Sequence, residues 1–181
     1  MAERTIVKSG IEDVGQGPAV FAELLQAFAA AVVANDGGGL GQMFTPDGIY
    51  EDGFFGPHAG REAIAAMLQR FHDTGGDYRW EFFDAVGGGA IGYARFRFSY
   101  VSRLPESPGR PVAFEGISVF YLRDGLIARY AEIFDRGLAL VQLDFPAERI
   151  ERVLRKAAAA QNAHPELAPH LDRFRNGGPP G

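Results

Sequence analysis

The amino-acid sequence predicts an α+β fold: helices followed by a run of mostly antiparallel strands, with a further helix added toward the C-terminus. Three observations carry this expectation. Before residue 75 the strongest apolar patterning has a helical period. After it, four runs rich in aromatic and β-branched residues follow one another: WEFFDAV, GYARFRFSYV, VAFEGISVFYL and LIARYAEIFD. The chain has 181 residues, enough for one sizeable core and too few for two ordinary domains. Helices first and strands afterwards is the order of an α+β domain.

Taken in order, residues 1–17 read as an N-terminal arm, 18–145 as the α+β domain, and 146–181 as a C-terminal helix with a flexible tail ending NGGPPG. Pro18 opens the first helix, whose apolar stripe runs through Phe21, Leu24, Leu25, Phe28, Val32 and Val33. The run NDGGGLG ends it, because consecutive glycines continue a helix at high entropic cost. GQMF then forms a short helix, and TPDG turns the chain into the strand IYED. GREAIAAMLQRFHD is the next helix, with Ile64, Met67, Leu68 and Phe71 on one face. The glycines of GGDY and GGGA are expected in turns, since strand rather than helix follows them and no dinucleotide site is implied. PAERIERVLRKAAAA is the last helix, starting at Pro146 with Glu148 in its first turn.

Composition narrows the function. The net charge is −5, with no basic run, which argues against nucleic acid as the main partner. There is no Cys, so disulfides and thiolate chemistry are absent, and the four His are too scattered for a zinc motif. No metal or cofactor is expected. The most apolar segment is interrupted by Glu23 and Gln26, so no membrane partner is expected either, and a cytoplasmic location follows as an expectation. No G-x-S-x-G elbow marks a serine hydrolase.

Strand parity sorts the candidate site residues. In IYEDG, Tyr50 and Asp52 share one face and Glu51 takes the other. A three-residue loop at Arg123-Asp124-Gly125 would pair Ser118 with Tyr130 and Gly116 with Glu132. Phe114, Gly116, Ser118 and Phe120 then share a face with Ala128, Tyr130, Glu132 and Phe134. A two-residue Asp-Gly turn would shift the register by one and break that grouping. Arg95 and Arg97 alternate with aromatics, so their face is either solvated, part of a dimer contact, or an anion clamp. His58, in GPHAG, stands in a loop before the next helix, at a pocket rim or exposed.

These segments together resemble the SnoaL-like branch of the nuclear-transport-factor-2-like superfamily, which includes ketosteroid isomerases, limonene-epoxide hydrolases and polyketide cyclases. The resemblance rests on the helix ending in ND, on GQMFTPDGIYEDG, on the GREAI helix start and on the closing hairpin VFYLRDGLIARYAEIFD, roughly residues 18–140. It implies a cone-shaped fold in which a curved, mostly antiparallel sheet packs on three helices around a deep pocket, with a homodimer and no cofactor. It also implies that Asp52 stands where ketosteroid isomerases keep a general base, and Glu132 where epoxide hydrolases keep an acid. The isomerase's oxyanion tyrosine falls on Phe28, which has no hydroxyl, and its protonated acid falls near Ser118. The hydrolase's Arg-x-Asp pair appears as Arg97-Phe98-Ser99, without the second acid. The expectation is acid–base chemistry on a small hydrophobic molecule, with Asp52 and Glu132 catalytic and Tyr50, Arg97, Ser118, Tyr130, Phe28 and Phe114 contacting the ligand. Alternatives are a binding or assembly module without chemistry, epoxide-hydrolase-like water addition, and, for Glu132, a buried ion pair with Arg97.

Overall fold

A computed structural model describes residues 18–87 and 89–176 of the chain. The N-terminal arm expected over 1–17 and the last tail residues, 177–181, lie outside the described residues. Among the described residues six helices and six strands follow in the order α1 Pro18–Val33, α2 Gly37–Gln42, β1 Phe44–Asp52, β2 Gly56–Ala59, α3 Arg61–Thr74, β3 Gly75–Gly87, β4 Ile91–Ser102, β5 Pro111–Arg123, β6 Leu126–Phe134, α4 Arg136–Gln142, α5 Ala147–Asn162 and α6 Ala168–Asn176. The strands form one sheet in the order β2-β1-β6-β5-β4-β3. Only β1 and β6 run parallel, so the sheet is mixed and mostly antiparallel, as expected of the α+β cone.

The first helix begins at Pro18 and buries Phe21, Leu25, Phe28 and Val32, the stripe its 3.6-residue period lays out. It stops at Val33, and Asn35 takes a left-handed φ of 57°. The glycines that follow do not merely break a helix. They start α2, with the Asp36 carboxylate accepting the Gly39 N–H at 2.8 Å. Gly37 lets α2 pack closely on α3, since a Cβ there would lie 3.1 Å from Ala65.

Phe21 shows how the helix layer seats on the sheet. It lies against Gly87 and Gly92, which are paired across β3 and β4, and a Cβ on Gly92 would stand 2.3 Å from the Phe21 ring. Replacing Gly92 by Ala is therefore expected to cost about 1–3 kcal/mol by overpacking. In the Gly92→Ala background, Phe21→Leu should recover part of the loss in a denaturant titration.

Several expected boundaries move. TPDG lies inside β1, where five steps from Phe44 to Ile49 face two steps from Ile127 to Arg129 on β6; the predicted turn is a bulge. Gly75 and Gly76 open β3 by pairing with Ser102 and Val101, so the GGDY glycines belong to a strand, not a turn. GPHA forms the short strand β2 rather than a loop, and Gly60 caps α3. RGLALVQ makes α4, capped by the Asp135 carboxylate, and the expected tail contains α6.

The hairpin register differs from the three-residue reading. Asp124 and Gly125 alone form the loop, with φ of 52° and 79°, a type I′ turn between paired Arg123 and Leu126. Ala128 then bulges out of the ladder, and from Tyr121–Arg129 onward the sum of the paired positions has moved by two from the expectation. Because the turn and the bulge each shift the register by one, parity is restored. Ser118 now faces Glu132 and Phe120 faces Tyr130, so the predicted inner-face grouping holds from Tyr130 to Phe134, while Ala128 leaves it and Ile127 is buried in the core.

Candidate functional site

The concave side of the sheet and the helices enclose a cavity of about 310 Å³. Its walls are aromatic and aliphatic: Trp80, Phe96, Phe98, Tyr100 and Phe114 from β3, β4 and β5, and Met67, Leu68 and Phe71 from α3. On one wall stand Tyr50 and Asp52 of β1 and Glu132 of β6. The parallel pairing of β1 with β6, which puts Tyr50 beside Tyr130, brings these residues together although about 80 positions separate them in the chain.

Asp52 is the last residue of β1, and its carboxylate organises the turn that follows. Oδ1 accepts the Phe54 and Phe55 N–H groups, each at 2.7 Å. Oδ2 has no hydrogen-bond partner among the described residues. The strand-end capping role and a role toward the cavity thus use different oxygens of the same group. Burial raises the Asp52 pKa, while the Phe55 and Phe54 amides and the charges of His58 and Arg136 pull it back.

Glu132 is held through both of its oxygens and is less stabilised as an anion. Oε1 accepts the Gly53 N–H at 3.1 Å and Oε2 accepts the Tyr130 hydroxyl at 3.0 Å. Burial, followed by the Asp52 charge, pushes its pKa up to about 8. Gly53 is required here, since a Cβ would lie 2.2 Å from the Phe134 ring. Burial and then the Glu132 charge also hold the Tyr50 and Tyr130 hydroxyls well above their ordinary range, so both stay protonated and able to donate.

The other expected contacts divide by layer. Tyr50, 4% exposed, lines the cavity, and so does Phe114, stacked on Phe134 at 4.4 Å. Tyr130 and Ser118 are fully buried one layer behind; their hydroxyls are 2.9 Å apart, and Ser118 reaches the acid only through Tyr130. Phe28 is likewise sealed in the core, stacked on Tyr50 with centroids 6.0 Å apart, and does not line the cavity. Arg97 is on the opposite, convex face. It is exposed, lies over the Phe83 ring at 4.6 Å and is 3.9 Å from Glu115, so neither the anion clamp nor the ion pair with Glu132 forms. The strand's alternation dictates this, because Phe96 and Phe98 take the inner face.

Four features were not read from the sequence. Gly53 supplies an amide to Glu132. His58 on β2, opposite Tyr50, has a buried Nε2 without a hydrogen-bond partner and acts electrostatically on Asp52. Arg136, opening α4, acts on both acids. Finally, Leu140, Leu143, Phe145, Arg149 and Val153 complete the cavity from α4, α5 and the link between them. Among the described residues no cluster of His, Asp or Glu suits a metal ion, and no helix is long and apolar enough to cross a membrane.

A family model for the SnoaL-like domain matches residues 25–130. The chain belongs to the SnoaL-like family of the nuclear-transport-factor-2-like superfamily. Solved structures agree in fold. TsrD from Streptomyces laurentii is 26% identical with a TM-score of 0.62, over 71% of this chain and 97% of its own. A Catenulispora acidiphila protein with a ketosteroid isomerase-like fold, bound to trimethylamine, is 23% identical with a TM-score of 0.63, over 70% of this chain and 95% of its own. An epoxide hydrolase of M. tuberculosis resembling limonene-epoxide hydrolases is 20% identical with a TM-score of 0.58, over 69% of this chain and 90% of its own. No curated protein matches the chain. The SnoaL-like match ends before Glu132, α4 and α5, so it speaks for the fold and leaves half of the acid pair to this chain's own geometry.

Proposed function

We propose that this SnoaL-like protein binds a small hydrophobic molecule in the cavity and carries out cofactor-independent proton transfer next to a carbonyl, of the isomerase or cyclase type. The observation that carries this reading is the pair of acids on one wall of a mostly apolar cavity, supported unequally by their surroundings. Two amides favour Asp52 as the anion, while burial and the neighbouring charge favour Glu132 as the neutral acid. Asp52 removes the proton from carbon, and the electron pair moves onto the carbonyl oxygen. Tyr50, protonated and lining the cavity, donates a hydrogen bond to that oxygen. Glu132 delivers a proton, and Tyr130 with Ser118 behind it orients Glu132.

Water addition to an epoxide has less support. Arg97 faces outward and Ser99 stands where that chemistry would need a second acid.

The test uses β-tetralone, an aromatic ketone with acidic protons beside its carbonyl, in deuterated buffer. The protein should accelerate deuterium uptake over buffer and Asp52→Asn should abolish the acceleration. Binding without acceleration would favour a ligand-binding module instead. The expected homodimer has a candidate face on the convex side, where Tyr93, Ile117 and Ile133 stay 47%, 45% and 68% exposed. A single-copy mass in light scattering would remove it.

A further inference from the structure

Among the described residues three charged side chains line the cavity: Asp52, Glu132 and Arg149. The first two form the acid wall; Arg136 acts on both of them and His58 on Asp52. That leaves Arg149 uncommitted to the pair. It comes from the first turn of α5, in a region beyond the SnoaL-like match, and its side chain is 34% exposed. Phe55, which also lines the cavity, is 64% exposed. The mouth therefore lies between the β1–β2 turn and the start of α5.

At that mouth the guanidinium is held in place. It lies 3.6 Å from the centroid of the Phe145 ring, and Nη1 is 2.7 Å from the Glu106 carboxylate in the β4–β5 loop. Stacking fixes the plane of the guanidinium and aims its donors. Glu106 is 41% exposed, so it returns to water easily when displaced, and an exposed ion pair of this kind contributes little to stability. A ligand carboxylate entering with an apolar body would meet the same donors in a less hydrated place, where the pairing is stronger.

We propose that Arg149 is an anion-binding residue at the cavity mouth, and that the ligand is an amphipathic molecule with an apolar, partly aromatic body and a carboxylate that takes the place of Glu106. This rests on the reading of the cavity as a ligand site and adds its substrate class. Glu106 is then a built-in competitor, which makes opposite predictions for the two partners of one ion pair.

The experiment compares phenylhexanoic acid with phenylhexanol at neutral pH, by calorimetry and by fluorescence of Trp80, the chain's single tryptophan and a lining residue. The native protein should prefer the acid by about tenfold, the scale of one charge-assisted hydrogen bond. Arg149→Gln should erase that preference and leave alcohol binding unchanged, while Arg149→Lys keeps part of it. Glu106→Gln should strengthen acid binding severalfold without affecting the alcohol. Unfolding curves of all three variants should overlay the native one, since both side chains reach solvent. Equal affinity for acid and alcohol, or a preference that survives Arg149→Gln, overturns the proposal and leaves the hydrophobic site standing. Failure of both probes to bind overturns the hydrophobic site as well.

Discussion

Asp52→Asn is expected to lower the catalysed exchange of β-tetralone by about a hundredfold to ten-thousandfold, the range a positioned general base contributes. The substitution is close to isosteric, and the asparagine oxygen can still accept the Phe54 and Phe55 amides that shape the turn. Stability should therefore change little, which separates a lost base from a lost fold. The variant has a second signature. Asp52 is one of the two main causes that raise Glu132, so removing its charge should bring the Glu132 pKa down toward the carboxylate range. Carbon-detected NMR of the Glu132 carboxyl would follow this directly. Exchange in Asp52→Asn at the native rate would remove the base assignment whatever Glu132 does.

The legible part of this molecule is the part governed by periodicity. The stripe through Phe21, Leu25, Phe28 and Val32 and the alternation in GYARFRFSYV gave both the elements and their buried faces, and Tyr50 and Asp52 share the cavity side as parity requires. Parity also placed Ser118, Tyr130 and Glu132 together, although the loop has two residues rather than three. The Ala128 bulge compensated for the two-residue loop, and nothing local in GLIARY distinguishes an alanine that bulges from one that pairs. What periodicity cannot supply is depth. Phe28 and Ser118 share the inner face with true lining residues, yet they sit one layer back, because the packing of α1 and the neighbouring rings decides which side chain reaches open space. The α4–α5 wall was illegible for another reason. RGLALVQ is too short for a helical pattern to stand out, and whether an amphipathic segment such as PAERIERVL covers a cavity depends on where the sheet leaves its mouth.

The second large effect belongs to Glu132 and is read in stability, with no substrate needed. Folding raises its pKa from the ordinary 4.5 to about 8. The folded protein therefore holds this proton over a window in which the unfolded chain has released it, and stability falls as pH rises through that window. The contribution is fully present below about pH 4.5, declines between there and about pH 8, and is gone above. One pH unit of displacement corresponds to about 1.4 kcal/mol. Because Asp52 and Glu132 share the effect, a total of a few kcal/mol is expected rather than the full product. Asp52, also raised, tilts in the same direction. His58, lowered mainly by burial, tilts the other way below pH 6.5. Urea titrations of the native protein and Glu132→Gln across pH 5 to 8 isolate the one group, since the other residues are common to both. The amide can keep the Gly53 contact through its oxygen. The native protein should lose stability over this range while the variant stays nearly level, so that Glu132→Gln becomes the more stable of the two at pH 8 or above. Parallel curves would mean that Glu132 is already ionised in the fold at neutral pH, and its role as the proton donor beside Asp52 would fall with that result.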